Sequence, residues 1–345
     1  MQQEKKKKIG YLALFKGSPL GFKLFWLGIL GYALAGWLLV TPFEHRISKH
    51  VVIYAAQDQV YAEPILRDFD RQASIRVKIL FDSEAVKTVG LANRLLAERS
   101  HPQCDVFWGN EEMRTRQLAA EGVFEEWTSF GHRSRQFVIN TNYVSAAAGR
   151  AELPLGQDAQ QRVPTLLGAP ESLLELTNAH WRGKVALAYP LFGTTATHFL
   201  ALRQHWGEAG WLAWCRGLVA NDALVVDGNS VVVKLVGRGE AWIGLTDSDD
   251  IAAFQREGLP VLPAVFKETL LIPNTVAIVK GAPRAESAGK LFDYLQSRPV
   301  VKRLVAENAL QGVEASIEVG LKPDWPELLS RLEQDTAALK GIFLR

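Results

Sequence analysis

The amino-acid sequence predicts an α/β fold carried on a mostly parallel sheet. Three observations predict it. Short apolar, β-branched runs alternate with amphipathic stretches of helix length. Several of these runs end in small polar residues that open the next helix. The 345 residues leave room for two domains of ordinary size.

After a polar linker at 44–50, residues 51–56 (VVIYAA) read as the first strand. A helix follows over 62–72, with Pro64 in its first turn, where a missing N–H is harmless. Residues 75–81 (IRVKILF) alternate as a strand, 85–98 form a helix with Val89, Ala92, Leu95 and Leu96 on one side, and 104–108 (CDVFW) form a third strand. Residues 136–140 read as another strand, and 145–163, rich in Ala, Gly and Gln, as a surface excursion. Strands at 184–189, 223–226 and 241–245 then each run into a polar turn and a helix, the first helix from about Ala196. Residues 270–279 suggest a strand pair, and the chain ends in helix.

A different signal precedes this domain. Lys5, Lys6, Lys7, Lys8, Lys16 and Lys23 lead into 24–43 (LFWLGILGYALAGWLLVTPF), a charge-free run long enough to cross a bilayer. The cations place 1–23 in the cytoplasm and the remainder outside, with Trp26 and Trp37 near the two interfaces. Ala33-Leu34-Ala35 has the pattern of a signal-peptidase site, but the apolar run continues through 36–40, which favours an uncleaved single-pass anchor. No cysteine lies nearby to carry a lipid.

Composition narrows function. A net charge of +2 lacks the basic stripe of a nucleic-acid binder, and 48% hydrophobic residues supply a full core. Cys104 and Cys215 exclude a disulfide scaffold and a cysteine-only zinc site; they read as buried thiols, with one disulfide left open. No Gly-x-Ser-x-Gly, Walker loop or His-Glu-x-x-His occurs, so no enzyme is expected. His198 reads as a satisfied polar residue near a turn, and Trp206, Trp211 and Trp214 as core.

The chemistry gathers at strand ends. Gly193-Thr194-Thr195, Gly228-Asn229-Ser230 and Thr246 to Asp250 each stand where a strand meets a helix, the place where open α/β sheets bind ligands. Helix starts offer free N–H groups to an anion, to which Thr194, Thr195, Asn229 and Ser230 can add donors; Thr195 and Ser230 also read as plain helix caps. Asp247, Asp249 and Asp250 form a dense carboxylate group that reads by itself as acids favoured by a helix dipole, and functionally as a hard-cation site with Asp249 and Asp250 as candidate metal ligands. Asp58, Asp82, Glu84 and Asn110, with Glu111 and Glu112, occupy the corresponding ends of the early strands.

The runs VVIYAAQDQVYAEPILRDF, FDSEAVKTVGLANRLLAE, CDVFWGNEEMRTRQLAAEGVFEEW, GKVALAYPLFGTTATHF, VDGNSVVVKLVGRGEAWIGLTDSDD and LLIPNTVAIVKGAPRAESAGKLFDYLQS cover most of residues 50–300. In order and spacing they resemble bacterial extracellular solute-binding proteins of ABC importers, of the ferric-binding type. The resemblance implies a type II periplasmic-binding fold, with lobe 1 over 50–138 and 277–345 and lobe 2 over 139–276. Chain crossings would fall near 137–143 and 272–279. It implies an anion held at Thr194, Thr195 and Asn229. The tyrosine pair that holds iron in the family falls on Asp249 and Asp250, a departure that puts ferric specificity in question.

The expected function is therefore a monomeric, extracytoplasmic binding component that delivers ferric iron with a synergistic anion, or a related small solute, to a permease and ATPase. No cofactor is expected beyond Fe3+ as a bound ligand. The alternatives are a binding protein for an organic anion such as a phosphorylated sugar or phosphonate, and a membrane-tethered sensor.

Overall fold

The computed structural model describes residues 49–81, 87–148, 167–314 and 320–344. From His50 onward the chain is one unit. The expected membrane span at 24–43 lies outside the described residues, among which no helix is long and apolar enough to cross a membrane.

Strand β1 (His50–Ala55) lies between β2 (Arg76–Phe81) and β3 (Val106–Gly109), parallel to both. Helix α1 (Gln59–Ala73) links β1 to β2 and buries Tyr61, Ala62, Ile65, Leu66 and Phe69, one stripe at helical spacing. It starts earlier than the sequence suggests, so Pro64 stands inside it rather than in its first turn. Helix α2 (Lys87–Ala97) leads to β3, and α3 (Glu112–Ala120) follows.

Strand β4 (Phe124–Asn140) is far longer than the expected 136–140. Up to Ser134 it pairs antiparallel with β11 (Leu271–Val279), a single strand where a strand pair was expected. From Arg135 it pairs antiparallel with β9 (Ile243–Asp247), and over its last residues with β10 (Val261–Ala264). The change of partner at Ser134 and Arg135 comes before the 137–143 expected for a crossing. One sheet therefore runs β2-β1-β3-β11-β4-β9 and on through β7 (Val185–Ala188) to β8 (Leu224–Val226), with β10 also on β4. Its β2–β11 side is called here the first wing and its β9–β8 side the second.

In the second wing, β7 (Val185–Ala188) is parallel to β8 (Leu224–Val226) and β9. Their carboxyl ends therefore share one edge, and α4 (Gly193–Ala220), α5 (Asn229–Gly237) and α6 (Ser248–Arg256) start there. Helix α4 breaks at Gly207 (φ 73°, ψ 160°). Before β7, a short pair joins β5 (Val144–Ala148) to β6 (Leu167–Ala169), followed by 3-10 turns at Leu173–Thr177 and Ala179–Trp181.

Each wing has its own cores. Val51, Ile53, Ile65 and Leu66 pack with Leu291 and Leu304 from α7 (Ala285–Leu295) and α8 (Arg298–Ala306). In the second wing, Phe199, Trp211, Trp214 and Leu245 form one core; Val138, Val232, Val236 and Ile251 form another. After α8 the chain passes behind β4: Gly131 N–H donates to the Val313 carbonyl at 3.1 Å and Gln311 N–H to the His132 carbonyl at 2.7 Å. It reappears where Leu321 N–H donates to the Thr269 carbonyl at 2.8 Å. Helices α9 (Trp325–Ser330) and α10 (Leu332–Phe343) then set Leu328, Leu339, Ile342 and Phe343 into the core around Phe199 and Trp211. The cysteines Cys104 and Cys215 are buried and unbonded to each other.

Candidate functional site

The three second-wing helix starts carry no side-chain cap. Phe192 stands at the N-cap of α4, Gly228 at that of α5 and Asp247 at that of α6, and none bonds the first turn through its side chain. Thr195 and Ser230 stand inside their helices and not at the N-cap, and no N-cap side chain occupies the leading N–H groups of the three helices. Gly193 opens α4 at φ +53°, a left-handed conformation that glycine adopts without strain.

Behind these starts lies a buried polar cluster. Arg135 Nη1 donates to Asp247 Oδ1 at 2.6 Å, Asn229 Oδ1 at 3.2 Å and Thr194 Oγ1 at 3.3 Å. Asp247 Oδ2 accepts from the Thr194 hydroxyl at 2.7 Å and from Asn229 Nδ2 at 3.1 Å. Thr195 Oγ1 donates to Asn229 Oδ1 at 3.2 Å. Arg133 Nη1 donates to Asp249 Oδ2 at 2.9 Å and reaches Asp247 Oδ2 at 3.4 Å, while its Nη2 donates to the Asn110 carbonyl. The side chains of Thr194, Thr195 and Asn229 thus hold one another and Asp247.

Electrostatics sorts the three carboxyls. Burial pushes Asp247 up, but Arg135 and Arg133 outweigh it and hold the group below its ordinary value. Burial raises Asp249 to about 6, against the pull of Arg133. Burial and then the neighbouring Asp249 and Asp247 push Asp250 well above the usual carboxylate range. Two guanidiniums thus face the Asp247 and Asp249 carboxyls, Arg133 reaching both and Arg135 reaching Asp247.

The cluster forms one wall of a cavity of about 80 Å3, about half the ~150 Å3 of a benzene-sized void. Asp58 and Asn110 line it from the first wing, and Arg133 from β4. From the second wing come Tyr189, Phe192, Gly193, Thr194, Thr195, Asp227, Gly228, Asn229, Asp247 and Asp250. The structure therefore gathers Asp58, Asn110, Gly193, Thr194, Thr195, Asn229 and Asp250 as the sequence suggests. Asp249 stands behind the wall against Arg133, and Ser230 is not part of the lining. Asp82 and Glu84 lie outside the described residues. Glu111 caps α3 through the N–H groups of Met113 at 2.7 Å and Arg114 at 3.0 Å. His198 Nε2 donates to the Glu268 carbonyl at 2.7 Å and burial holds its ring neutral.

Sequence reasoning missed Arg133, Arg135, Asp227 and Tyr189, and it read Asp247 only as part of a cation-binding acidic run, not as the partner of the arginines. The signal for the arginines was present: residues two apart on a strand share a face. It went unread because the strand was started at 136, after both of them.

The sequence profile of the bacterial extracellular solute-binding proteins matches residues 50–307. The chain belongs to that family. It is a family of binding proteins rather than enzymes, working outside the cytoplasm. The solute-binding protein is 23% identical over 292 residues to iron uptake protein A1 of Synechocystis, with 78% of this chain and 76% of that protein aligned. Iron-bound HitA from Pseudomonas aeruginosa superposes with a TM-score of 0.68 at 16% identity, covering 86% of this chain and 99% of HitA. AfuA from Actinobacillus pleuropneumoniae, with fructose-6-phosphate bound, superposes with a TM-score of 0.68 at 17% identity, covering 85% and 98% of the two chains. These likenesses establish the periplasmic-binding fold.

Proposed function

We propose that the protein is the extracytoplasmic solute receptor of an ABC importer, acting as a monomer with a permease and an ATPase. Its ligand is a small solute with an oxyanionic group, of the phosphorylated kind. The observation that carries the reading is the convergence on one cavity of three helix starts without side-chain caps. Gly193, Thr194, Thr195 and Asn229 would seat the oxyanion through their backbone N–H groups. Asp58, Asp227, Asp250 and Tyr189 would face the polar remainder of the solute. The two lobes are the two wings, with β4 and β11 between them and the helices after 325 seated on lobe 2. The present cavity is smaller than a hexose phosphate, so such a ligand enters with the lobes apart. A tether at 24–43 would hold the receptor near its permease at high local concentration.

A second reading is ferric iron with its synergistic anion. It is favoured by the hard oxygen donors of Asp58, Asp227, Asp250 and Tyr189 on the same cavity, and by Asp247, Asp249 and Asp250, whose carboxylate oxygens lie within 4.8 Å of one another. Arg133 and Arg135 weigh against it: each repels a trivalent ion, and Asp249 is committed to Arg133.

Native mass spectrometry of full-length protein purified without chelators, followed by calorimetry with fructose 6-phosphate, inorganic phosphate and ferric nitrilotriacetate, separates the two. The expected result is binding of a phosphate compound that weakens when Asn229→Leu disrupts the α5 start. Stoichiometric iron lost in Asp250→Ala, with no response to any phosphate compound, overturns it.

A further inference from the structure

Arg133 leaves β4 where the strand changes partner, between the register pairs of Ile272 with Arg133 and Asp247 with Arg135. Its guanidinium divides between the wings. Nη2 donates to the backbone carbonyl of Asn110, at the end of β3. Nη1 donates to Asp249 Oδ2 at 2.9 Å and reaches Asp247 Oδ2 at 3.4 Å, at the start of α6. The side chain is 4% exposed and yet lines the cavity.

Other polar links among the described residues also join the wings. Arg256 at the far end of α6 donates to the Tyr61 hydroxyl at 2.9 Å and to the Glu307 carbonyl at 3.2 Å. The Thr197 hydroxyl donates to Glu111 Oε2 at 3.1 Å. None of these residues lines the cavity. Arg133, by contrast, works from the wall of the site itself.

We propose that Arg133 is a positioning residue that holds the cleft closed, one guanidinium fastening the first-wing carbonyl of Asn110 to the second-wing carboxylates Asp249 and Asp247. The proposal rests on the reading of this cavity as the solute cleft, but not on which solute enters it. A guanidinium suits the task because its planar fork donates in two directions at fixed geometry, whereas an ammonium is a point charge. Opening the cleft separates Asn110 from α6 and breaks a charge-assisted hydrogen bond on one side or the other. Closure then needs no ligand to begin, and a solute adds to a bias already present.

The experiment uses full-length protein with spin labels at Val60→Cys and Val265→Cys, which are 71% and 78% exposed and belong to opposite wings. Cys104 and Cys215 are both buried and escape labelling. Pulsed dipolar spectroscopy of the ligand-free protein reads the closed-to-open ratio. Arg133→Met is expected to lower that ratio by roughly 30-fold, the factor of about 2 kcal/mol carried by a hydrogen bond to a charged group. Arg133→Lys, which keeps the charge and loses the fork, is expected to restore part of it. Asp249→Asn, which weakens the grip from the other side, is expected to shift the ratio in the same direction. An unchanged distance distribution in folded Arg133→Met overturns the proposal. If that variant fails to fold, an unchanged distribution in Asp249→Asn does so. A shifted ratio supports the clasp whichever solute calorimetry identifies, so the two readings fail separately.

Discussion

Replacing Asp247 by Asn should cost far more than making the same change three residues on. Asp247 is 2% exposed and is the counter-charge of Arg135, itself fully buried, and in part of Arg133. The amide keeps the size but removes the charge and puts a donor where Thr194 and Arg135 donate. Breaking a buried pair by removing one partner costs about 3–5 kcal/mol. At roughly 2 °C per kcal/mol for a large domain, the midpoint of thermal unfolding should fall by about 6–10 °C. Asp250 lies beside the same residues and is only half-buried, but desolvation and its acidic neighbours push it well above the usual carboxylate range and favour its protonated form. An amide is close to a protonated acid in shape and charge, and its one described bond, from the Thr246 hydroxyl, is long at 3.4 Å. Asp250→Asn should therefore cost less than about 1 kcal/mol, or roughly 2 °C. Both are measured by calorimetry at neutral pH with chelator present, so that ligand binding does not enter. Equal losses in the two variants would refute the division of charge within the cluster.

Three other outcomes follow from the same structure. Burial, and then the charge of Arg135, lower the His198 ring from 6.5 to about 3, so the unfolded chain takes up a proton first as the pH falls. Its contribution is fully present above 6.5 and is lost on the way down to about 3, reaching roughly 2 kcal/mol by about pH 5. Urea titrations should show a smaller acid loss in His198→Gln, which retains a donor for Glu268. Cys104 and Cys215 are buried with thiols pushed above their ordinary value, burial being the main cause, and should react with Ellman's reagent only after denaturant is added. Gly193→Ala should cost about 1–2 kcal/mol in a denaturant titration, all of it backbone strain, since a Cβ there meets nothing within 4 Å.

The alternation of strands and helices was legible because each strand of the parallel sets is a short apolar run bounded by polar turns. That a helix follows each of β7, β8 and β9 was legible for the same reason, although the first was set at about Ala196 and begins at Gly193, so that the small polar residues lie inside the first turns. Strand β4 was not. Its stretch FGHRSRQ mixes charge into a strand buried on both faces, so Arg133 and Arg135 do not look like core until Asp247 and Asp249 are known to oppose them. Ion pairs between residues more than a hundred positions apart leave no local periodicity. The acidic run at Asp247 to Asp250 was visible, but read alone it suggests a cation site; only the arginines show how its charge is spent. The placement of α9 and α10 was hidden too, because an amphipathic helix at the chain end does not say which apolar surface it covers.

That last placement governs the order in which the chain can fold. The first wing lacks an internal strand until β11 is made and inserted between β3 and β4. The second-wing core lacks Leu339, Ile342 and Phe343, the last of them an edge-to-face partner of Phe199 at 5.9 Å, until the end of the chain is made. Neither wing can reach its native packing until these late segments have left the ribosome. Long-range pairings of this kind fold slowly. Until then the polypeptide stays incompletely folded, the condition in which a chain can still be threaded across a membrane.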